Sequence, residues 1–337
     1  MPIPQPQEQL VFLRDLQRLL DEGQFTATYK FALLLGLADL AVERGDDSGA
    51  PLQVPVSLIA ERFVALYWGH ARPFPGSSGG SAAATLSQNL GQNIAILRAL
   101  NEVQRQYPTL SEARRQPHWA RLLTQAAQVV VEMPLFRLQT LRGEIKEFLY
   151  ENKIHEGAIT LKPGIAFNLR RFHILIQHLV RGAWVRHIRS NPRNVPLLGS
   201  ILDLEEFLFE IRRAQYPRIK ETLRDLQKGR CFYCQQPIRT EDALDHFIPW
   251  AKYPSDLGHN FVLADRGCNA DKSDLLADLR FRDRWEERNG SENTILTEAF
   301  RADAVPSDLA ASRSIAEWAY ALSEESRTAL WAPTTFP

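Results

Sequence analysis

The sequence has no excess charge of either sign, because 40 Lys and Arg residues balance 40 Asp and Glu residues over 337 positions. Overall charge therefore gives no attraction to nucleic acid, and any electrostatic surface for such a partner must be local. The chain also lacks an apolar run of membrane-spanning length. Its first residues, MPIPQPQEQL, lack the basic, apolar and small-residue order of a signal peptide. These absences predict a cytoplasmic protein with no membrane partner.

Cysteine is scarce, since the chain has only Cys231, Cys234 and Cys268. A small, odd number in a reducing compartment argues against a disulfide framework. Buried thiols that pack as small apolar groups are the plain alternative. Two cysteines separated by two residues on a turn instead favour a metal site.

Acidic residues are absent from the stretch 157–202. A helix predicted over 168–190 carries basic side chains there, and at 100° per residue several share one face, with Leu179 on the core side. This segregation favours a surface that follows nucleic-acid phosphates, although a solvated face paired with acids from elsewhere remains the alternative. The basic face is interpreted as including His173, His178 and His187. The candidate nucleic-acid-binding residues are Arg170, Arg171, Arg181, Arg186 and Arg189.

The rest of the N-terminal region is dominated by apolar residues at helical spacing, beginning with residues 10–20. Composition is ordinary for a globular protein, with 45% hydrophobic and 24% charged residues. Turn residues predict a loop at 73–83 and a short strand or turn region at 154–168. Further helices are predicted at 26–42, 57–68, 87–106, 111–130, 134–151, 203–215, 218–227 and 307–330.

The three cysteines supply three of the four ligands of a tetrahedral zinc site. Asp265 precedes Cys268 with the same ligand-x-x-ligand spacing as Cys231 and Cys234. Carboxylate oxygen is an acceptable though harder zinc ligand, so three cysteines and Asp265 are the first choice. His259 is the alternative fourth ligand, and a site without metal stays open.

A second polar group lies between the two halves of this cysteine site. Asp245 and His246 are neighbours, so on a strand their side chains face opposite sides, one suited to a cation and the other to a water. Asn269 is predicted to open a helix over 269–282, with Lys272 one turn on. A carboxylate and an amide form an incomplete oxygen shell of the kind that suits Mg²⁺, which keeps several waters.

The order C-x-x-C, D-H-x-x-P, N-x-V-L and C-N-x-x-K-S-D over residues 229–276 resembles the HNH nuclease family, also called the ββα-metal or His-Me finger fold. The part from Asp245 to Asp274 is also similar to the HNH domain of RNA-guided CRISPR nucleases. The resemblance implies that His246 is the general base, Asp245 and Asn269 hold catalytic Mg²⁺ or Mn²⁺, Asn260 braces the loop, Lys272 helps to hold phosphate, and Cys231, Cys234 and Cys268 belong to a structural Zn²⁺ knuckle. Asp265 departs from the Cys or His that is usual in that knuckle.

The expected fold class is mainly α, with a helical N-terminal domain followed by a small α+β ββα-metal (HNH) nuclease module. The expected domains are residues 1–200, connecting helices at 201–228, the HNH module at 229–290 and a C-terminal helical extension at 291–337. The expected function is Mg²⁺-dependent cleavage of DNA, in phage defence or restriction. An RNA-cleaving HNH toxin and a non-catalytic nucleic-acid-binding zinc module are the alternatives. Partners left open are RNA, a guide or defence complex, and a second copy of the chain in a homodimer.

Overall fold

The computed structural model describes residues 2–23, 25–74, 84–91, 94–198, 203–209, 216–239 and 241–334. Most of the loop predicted at 73–83 and the end of the helix predicted at 203–215 lie outside these ranges. The chain divides into two compact units, Met1–Arg213 and Ala214–Pro337. The finer domain boundaries stay predictions.

The first unit is helical, as its apolar spacing predicts. Its second helix, Tyr29–Arg44, is buried along almost its whole length because it is apolar on nearly every side. The other helices pack around it into one apolar core. The helices are α1 (Pro6–Glu22), α2 (Tyr29–Arg44), α3 (Val56–His70), α4 (Ala95–Gln104), α5 (Leu110–Arg114), α6 (Trp119–Val130), α7 (Ile165–Arg171), α8 (His173–Ser190), α9 (Val195–Leu198) and α10 (Leu204–Phe209).

The described residues of this unit form two small antiparallel sheets. Strand β1 (Leu52–Pro55) pairs with β4 (Ala158–Leu161), and β2 (Thr140–Leu141) pairs with β3 (Glu144–Ile145). The strand or turn prediction at 154–168 therefore contains β4 and the start of α7.

The prediction of a helix at 134–151 is wrong. A π-helical turn, Val131–Leu135, ends there, and Arg142 and Gly143 then take positive φ angles of 49° and 92° that reverse the chain between β2 and β3. The buried Gln139 side chain accepts a hydrogen bond from the Leu149 amide at 2.7 Å. These local bonds replace those of a helix.

The second unit contains an antiparallel strand pair followed by a short helix. Strand β5 (Asp242–His246) pairs with β6 (Phe261–Asp265), with His246 opposite Phe261. A 3₁₀ turn, Gly258–Asn260, leads into β6. The helices are α11 (Pro217–Leu226), α12 (Arg266–Lys272), α13 (Leu279–Ser291), α14 (Asn293–Ala302) and α15 (Leu309–Glu325).

Helix α12 begins earlier than predicted. The Asp265 side chain accepts a hydrogen bond from the Gly267 amide at 2.8 Å and so caps the helix before Arg266. Ser273 then takes a φ of 49°, which ends the helix directly after Lys272. The predicted single helix over 269–282 is therefore two helices, α12 and α13, and Asn269 lies within the first.

Helix α13 holds the loops of the second unit through its arginines. Arg284 donates to the Phe232 carbonyl at 2.6 Å, and Arg288 donates to the Phe261 carbonyl at 2.8 Å. Burial lowers the pKa of Arg288 to about 9. Trp285, between them, stacks on Phe247 with ring centroids 5.2 Å apart. Helix α13 thus supports both the cysteine turn and the strand pair.

The 3₁₀ turn is packed so closely that only glycine fits its first position. A Cβ atom on Gly258 would lie 2.4 Å from the Phe300 ring on α14. The close packing of the Phe300 ring against Gly258 fixes the turn that carries Asn260. The observed fold is mainly α with small sheets and a C-terminal ββα arrangement, so the predicted fold class is confirmed. Within the described residues, no helix has both the length and the apolar character needed to cross a bilayer.

Candidate active site and cysteine cluster

Strand β5 directs Asp245 and His246 to opposite faces, as expected for adjacent residues of a strand. The Asp245 side chain is 9% exposed and the His246 side chain is 15% exposed. The two residues therefore have different surroundings.

On one face, Asp245 belongs to a buried polar cluster. Its Oδ2 accepts hydrogen bonds from the Tyr233 hydroxyl at 2.5 Å and from Lys272 Nζ at 3.0 Å. Lys272 is fully buried and also donates to the His246 carbonyl at 3.0 Å. Burial lowers the pKa of Lys272, while Asp245 acts in the opposite direction. The pair thus ties α12 to β5 from inside, as a buried charge requires a partner.

On the other face, the His246 imidazole lies against two aromatic rings. Its ring centroid lies 4.8 Å from that of Phe261 and 5.3 Å from that of the half-buried Trp250, whose ring is steeply inclined to it. His246 Nε2 lies 2.8 Å from Asp256 Oδ1. The imidazole is therefore held by a carboxylate and two rings, and part of it remains open to solvent.

The Asn260 side chain bonds to the backbone of the segment after His246. Its Oδ1 accepts from the Ile248 amide at 2.7 Å, and its Nδ2 donates to the Ile248 carbonyl at 2.9 Å. The Asn260 carbonyl also accepts from the Phe247 amide at 2.7 Å. A buried side-chain amide satisfied in this way fixes the backbone on which His246 stands.

Asn269 and Asp245 remain compatible with a divalent cation. Asn269 is half-buried on α12, the helix that packs against β5. A carboxylate has about four acceptor positions, and Asp245 Oδ1 makes only a 3.4 Å contact with Lys272 among the bonds that the described residues show. A carboxylate and an amide oxygen fit Mg²⁺ or Mn²⁺, which takes few protein ligands.

The three cysteines come together, as predicted. The sulfur atoms of Cys231, Cys234 and Cys268 all lie within 4.8 Å of one another. Burial raises the pKa of the Cys231 thiol, although the backbone amides of Asp265, Cys234 and Tyr233 lower it by hydrogen bonding to the sulfur. Burial and the neighbouring sulfurs also raise the pKa of Cys268. A bound cation would relieve the cost of three adjacent thiolates, so the donor set fits zinc.

The structure does not bring the predicted fourth zinc ligand to these sulfur atoms. Asp265 contributes its backbone amide to Cys231, while its carboxylate caps α12. His259 is buried, and its Nε2 lies 2.9 Å from Asn293 Oδ1. Among the described residues, the metal-capable group at this place consists of the three cysteines alone.

The basic surface predicted on the first unit needs correction. Phe172 lies outside regular helix, with φ −104° and ψ 17°, so α7 and α8 do not form one helical wheel. Arg170 is buried and donates to the Val42 carbonyl at 2.6 Å. Arg181 is half-buried, with its Nε enclosed and its guanidinium 5.1 Å from the Phe209 ring centroid. Neither guanidinium is on an open surface.

The remaining basic residues of this stretch divide between core and surface. Arg171, Arg186 and Arg189 are exposed. His173, interpreted as part of the basic face, is buried with Nε2 2.8 Å from Asp39 Oδ1. Leu179, expected on the core side, is 42% exposed. Some basic side chains of the acid-free stretch thus contact an acid from elsewhere in the unit, as His173 contacts Asp39, and others face solvent.

Comparison with known families assigns both parts of the chain. Residues 12–198 match the family described as Domain of unknown function (DUF8808), which is more than half of the chain. The chain belongs to this family. Residues 231–277 match the family described as HNH endonuclease. No curated protein and no solved structure matches this chain.

The HNH match confirms the resemblance drawn from the motif residues. It covers both strands, helix α12 and all three cysteines. The HNH domain therefore indicates nuclease activity on a nucleic acid, and the ββα geometry agrees with it.

Asp256, which contacts His246, and Tyr216, which contacts Asp256, are outside the motif that identified the HNH domain. Asp256 accepts a hydrogen bond from the Tyr216 hydroxyl at 2.7 Å on Oδ2, while its Oδ1 contacts His246. Tyr216 immediately precedes α11, far from the motif in sequence. Asp256 lies ten residues after His246, in a segment without regular structure, so no periodicity signals its position.

The Lys272–Asp245 pair gives a stability test. Lys272→Met should lower the free energy of unfolding of the second unit by about 3–5 kcal/mol, because it leaves a buried carboxylate without its cation. The double variant Lys272→Met/Asp245→Asn should recover most of this loss. Denaturant unfolding measures both.

The matched control is Arg218→Met, which breaks an exposed pair with Glu221. It should change stability by at most about 1 kcal/mol. Independent, additive effects of the two buried substitutions would contradict the pairing.

Proposed function

We propose that this chain is a Mg²⁺-dependent endonuclease that hydrolyses DNA phosphodiester bonds, with His246 as the general base. The observation that carries the proposal is the position of His246. It is part-exposed on the strand of an HNH domain and is next in sequence to Asp245. A base must reach a water beside the phosphate, and a part-exposed imidazole can do so.

Hydrolysis of the phosphodiester requires a proton acceptor and stabilisation of added negative charge. His246 takes the proton from the attacking water, which is the role of a positioned general base. Asp245 and Asn269 are the residues that would hold Mg²⁺ or Mn²⁺, which supplies positive charge at the phosphate when bound. Asn260 keeps the strand end rigid, and the products carry a 5′ phosphate and a 3′ hydroxyl.

The Lys272 side chain has a different part in this proposal from the one its motif implied. It is fully buried against Asp245 and the His246 carbonyl. We therefore assign it to holding α12 and β5 together, rather than to direct contact with phosphate.

The His246→Ala variant tests the function. Nicking of supercoiled plasmid with Mg²⁺ should fall by about 10²–10⁴-fold, the usual contribution of a positioned general base. His155→Ala, an exposed histidine in the first unit, is the control and should cut as wild type does. EDTA should stop cleavage by the wild type, and added Mg²⁺ or Mn²⁺ should restore it.

The same assay separates the alternatives. Cleavage of total RNA but not plasmid would favour an RNA-cutting enzyme, and binding without cleavage of either would favour a non-catalytic module. Equal cutting by His246→Ala and wild type would exclude His246 as the base. By resemblance to the family alone, we place DNA cleavage in phage defence or restriction.

We further propose that the three cysteines hold one structural Zn²⁺. Cys268→Ser should remove most of the bound zinc, measured by elemental mass spectrometry, and should destabilise the second unit, because ligand binding and folding are linked at such sites. Asp265→Asn keeps a side chain that caps helices well, so it should retain zinc. Zinc loss in Asp265→Asn would instead identify its carboxylate as the fourth ligand.

Exposed arginines of α8 are the proposed contacts to the nucleic-acid backbone in the first unit. Arg186→Ala/Arg189→Ala, tested in the His246→Ala background to prevent cleavage, should weaken DNA binding. Each lost phosphate contact should reduce the slope of log K against log salt by about 0.9. Arg105→Ala/Arg121→Ala, exposed on other parts of the same unit, is the control. An unchanged slope in the α8 variant would remove this surface from the binding site.

A further inference from the structure

The partner of His246 determines which of its nitrogens is protonated. Asp256 Oδ1 lies 2.8 Å from Nε2, a hydrogen-bond distance. An ionised carboxylate only accepts hydrogen bonds, so Nε2 must carry the hydrogen. In a neutral imidazole the other nitrogen then has the free lone pair. The proton acceptor of His246 is therefore Nδ1.

The Asp256 carboxylate is itself held at both oxygens. Tyr216 donates its hydroxyl hydrogen to Oδ2 at 2.7 Å, while Oδ1 faces the imidazole. Because the two oxygens have different partners, rotation of the carboxylate would break both hydrogen bonds. The carboxylate is 19% exposed, so water has limited access to replace either partner.

Phe261 supports both ends of this chain of groups. Its ring centroid lies 4.8 Å from that of His246 and 5.4 Å from that of Tyr216. Phe261 is buried and pairs with His246 across the strand ladder. Tyr216 and His246 thus pack against the same ring, and their separation is set by this packing as well as by their hydrogen bonds to Asp256.

We propose that Asp256 and Tyr216 are positioning residues for the general base. Asp256 fixes the Nε2–H tautomer and the ring orientation of His246, and Tyr216 fixes Asp256. This inference rests on the proposed function for its catalytic consequence, although the tautomer itself is a property of the folded chain. It also separates two carboxylates by role, since Asp245 faces the metal-ligand side and Asp256 faces the base.

Selective ¹⁵N labelling of histidine tests the tautomer without any activity measurement. The His246 signals are those, among eight histidines, that disappear in His246→Ala. The spectra are recorded at about pH 8, which lies above the range in which an ordinary histidine titrates. The wild type should then show a protonated Nε2 and an unprotonated Nδ1. Asp256→Asn should shift this signal toward a mixture of tautomers. An unchanged signal in Asp256→Asn overturns the proposal.

Activity gives the second readout. Nicking by Asp256→Asn should fall about 10²-fold, at the lower end of the contribution of a positioned base. Asp256→Glu, which keeps an acceptor, should recover part of the rate. Tyr216→Phe keeps the ring on Phe261 and should give a smaller loss, with a partial tautomer shift. Glu286→Gln, which breaks an ion pair with Arg313 elsewhere in the domain, should change neither the signal nor the rate.

The outcomes distinguish this inference from the proposed function. If the tautomer shifts in Asp256→Asn but the wild type cuts no nucleic acid, the positioning stands and the function fails. If His246→Ala is inactive while Asp256→Asn keeps both wild-type signal and rate, the function stands and the positioning fails. If Asp256→Asn does not fold, Tyr216→Phe decides, since an unchanged signal and rate there also overturn the proposal.

Discussion

The candidate site depends on the antiparallel pairing of β5 with β6. This ladder places His246 opposite Phe261 and sends the neighbouring Asp245 to the other face. A shift of one residue in register would exchange the two faces and bury the imidazole against Lys272. The register is held from several directions: Asn260 bonds the loop after β5, Gly258 packs under Phe300, and α13 donates to backbone carbonyls at the start of β6.

The two carboxylates of the site, Asp245 and Asp256, have different surroundings. Asp245 is satisfied inside the domain by Tyr233 and Lys272, so its charge stays buried at tolerable cost. Asp256 is half-buried beside the imidazole and is fixed by Tyr216. In the proposed function this separation matters because His246, as the base, must exchange a proton with water, whereas Asp245, as a metal ligand, must remain charged.

Several features were predictable because they are local in sequence. The Cys-x-x-Cys turn and Cys268 predict the sulfur cluster, since few arrangements other than a metal site bring three thiols together. The Asp245–His246 pair predicts two opposite faces, since alternation along a strand is a backbone property. By contrast, the prediction of one helix with a basic face over 168–190 is wrong. A single non-helical residue, Phe172, separates α7 from α8, and Arg170 lies in the core.

The sequence by itself therefore determined the HNH motif, the cysteine cluster and the mainly helical fold class, because periodicity, ligand spacing and motif order are written along the chain. Only the tertiary structure decided which arginines face solvent, that Asp265 caps a helix, that Lys272 is buried, and that Asp256 contacts both His246 and Tyr216. The physical reason is that burial and hydrogen-bond partnership depend on which distant elements pack together, and no repeat or spacing in the sequence encodes those contacts.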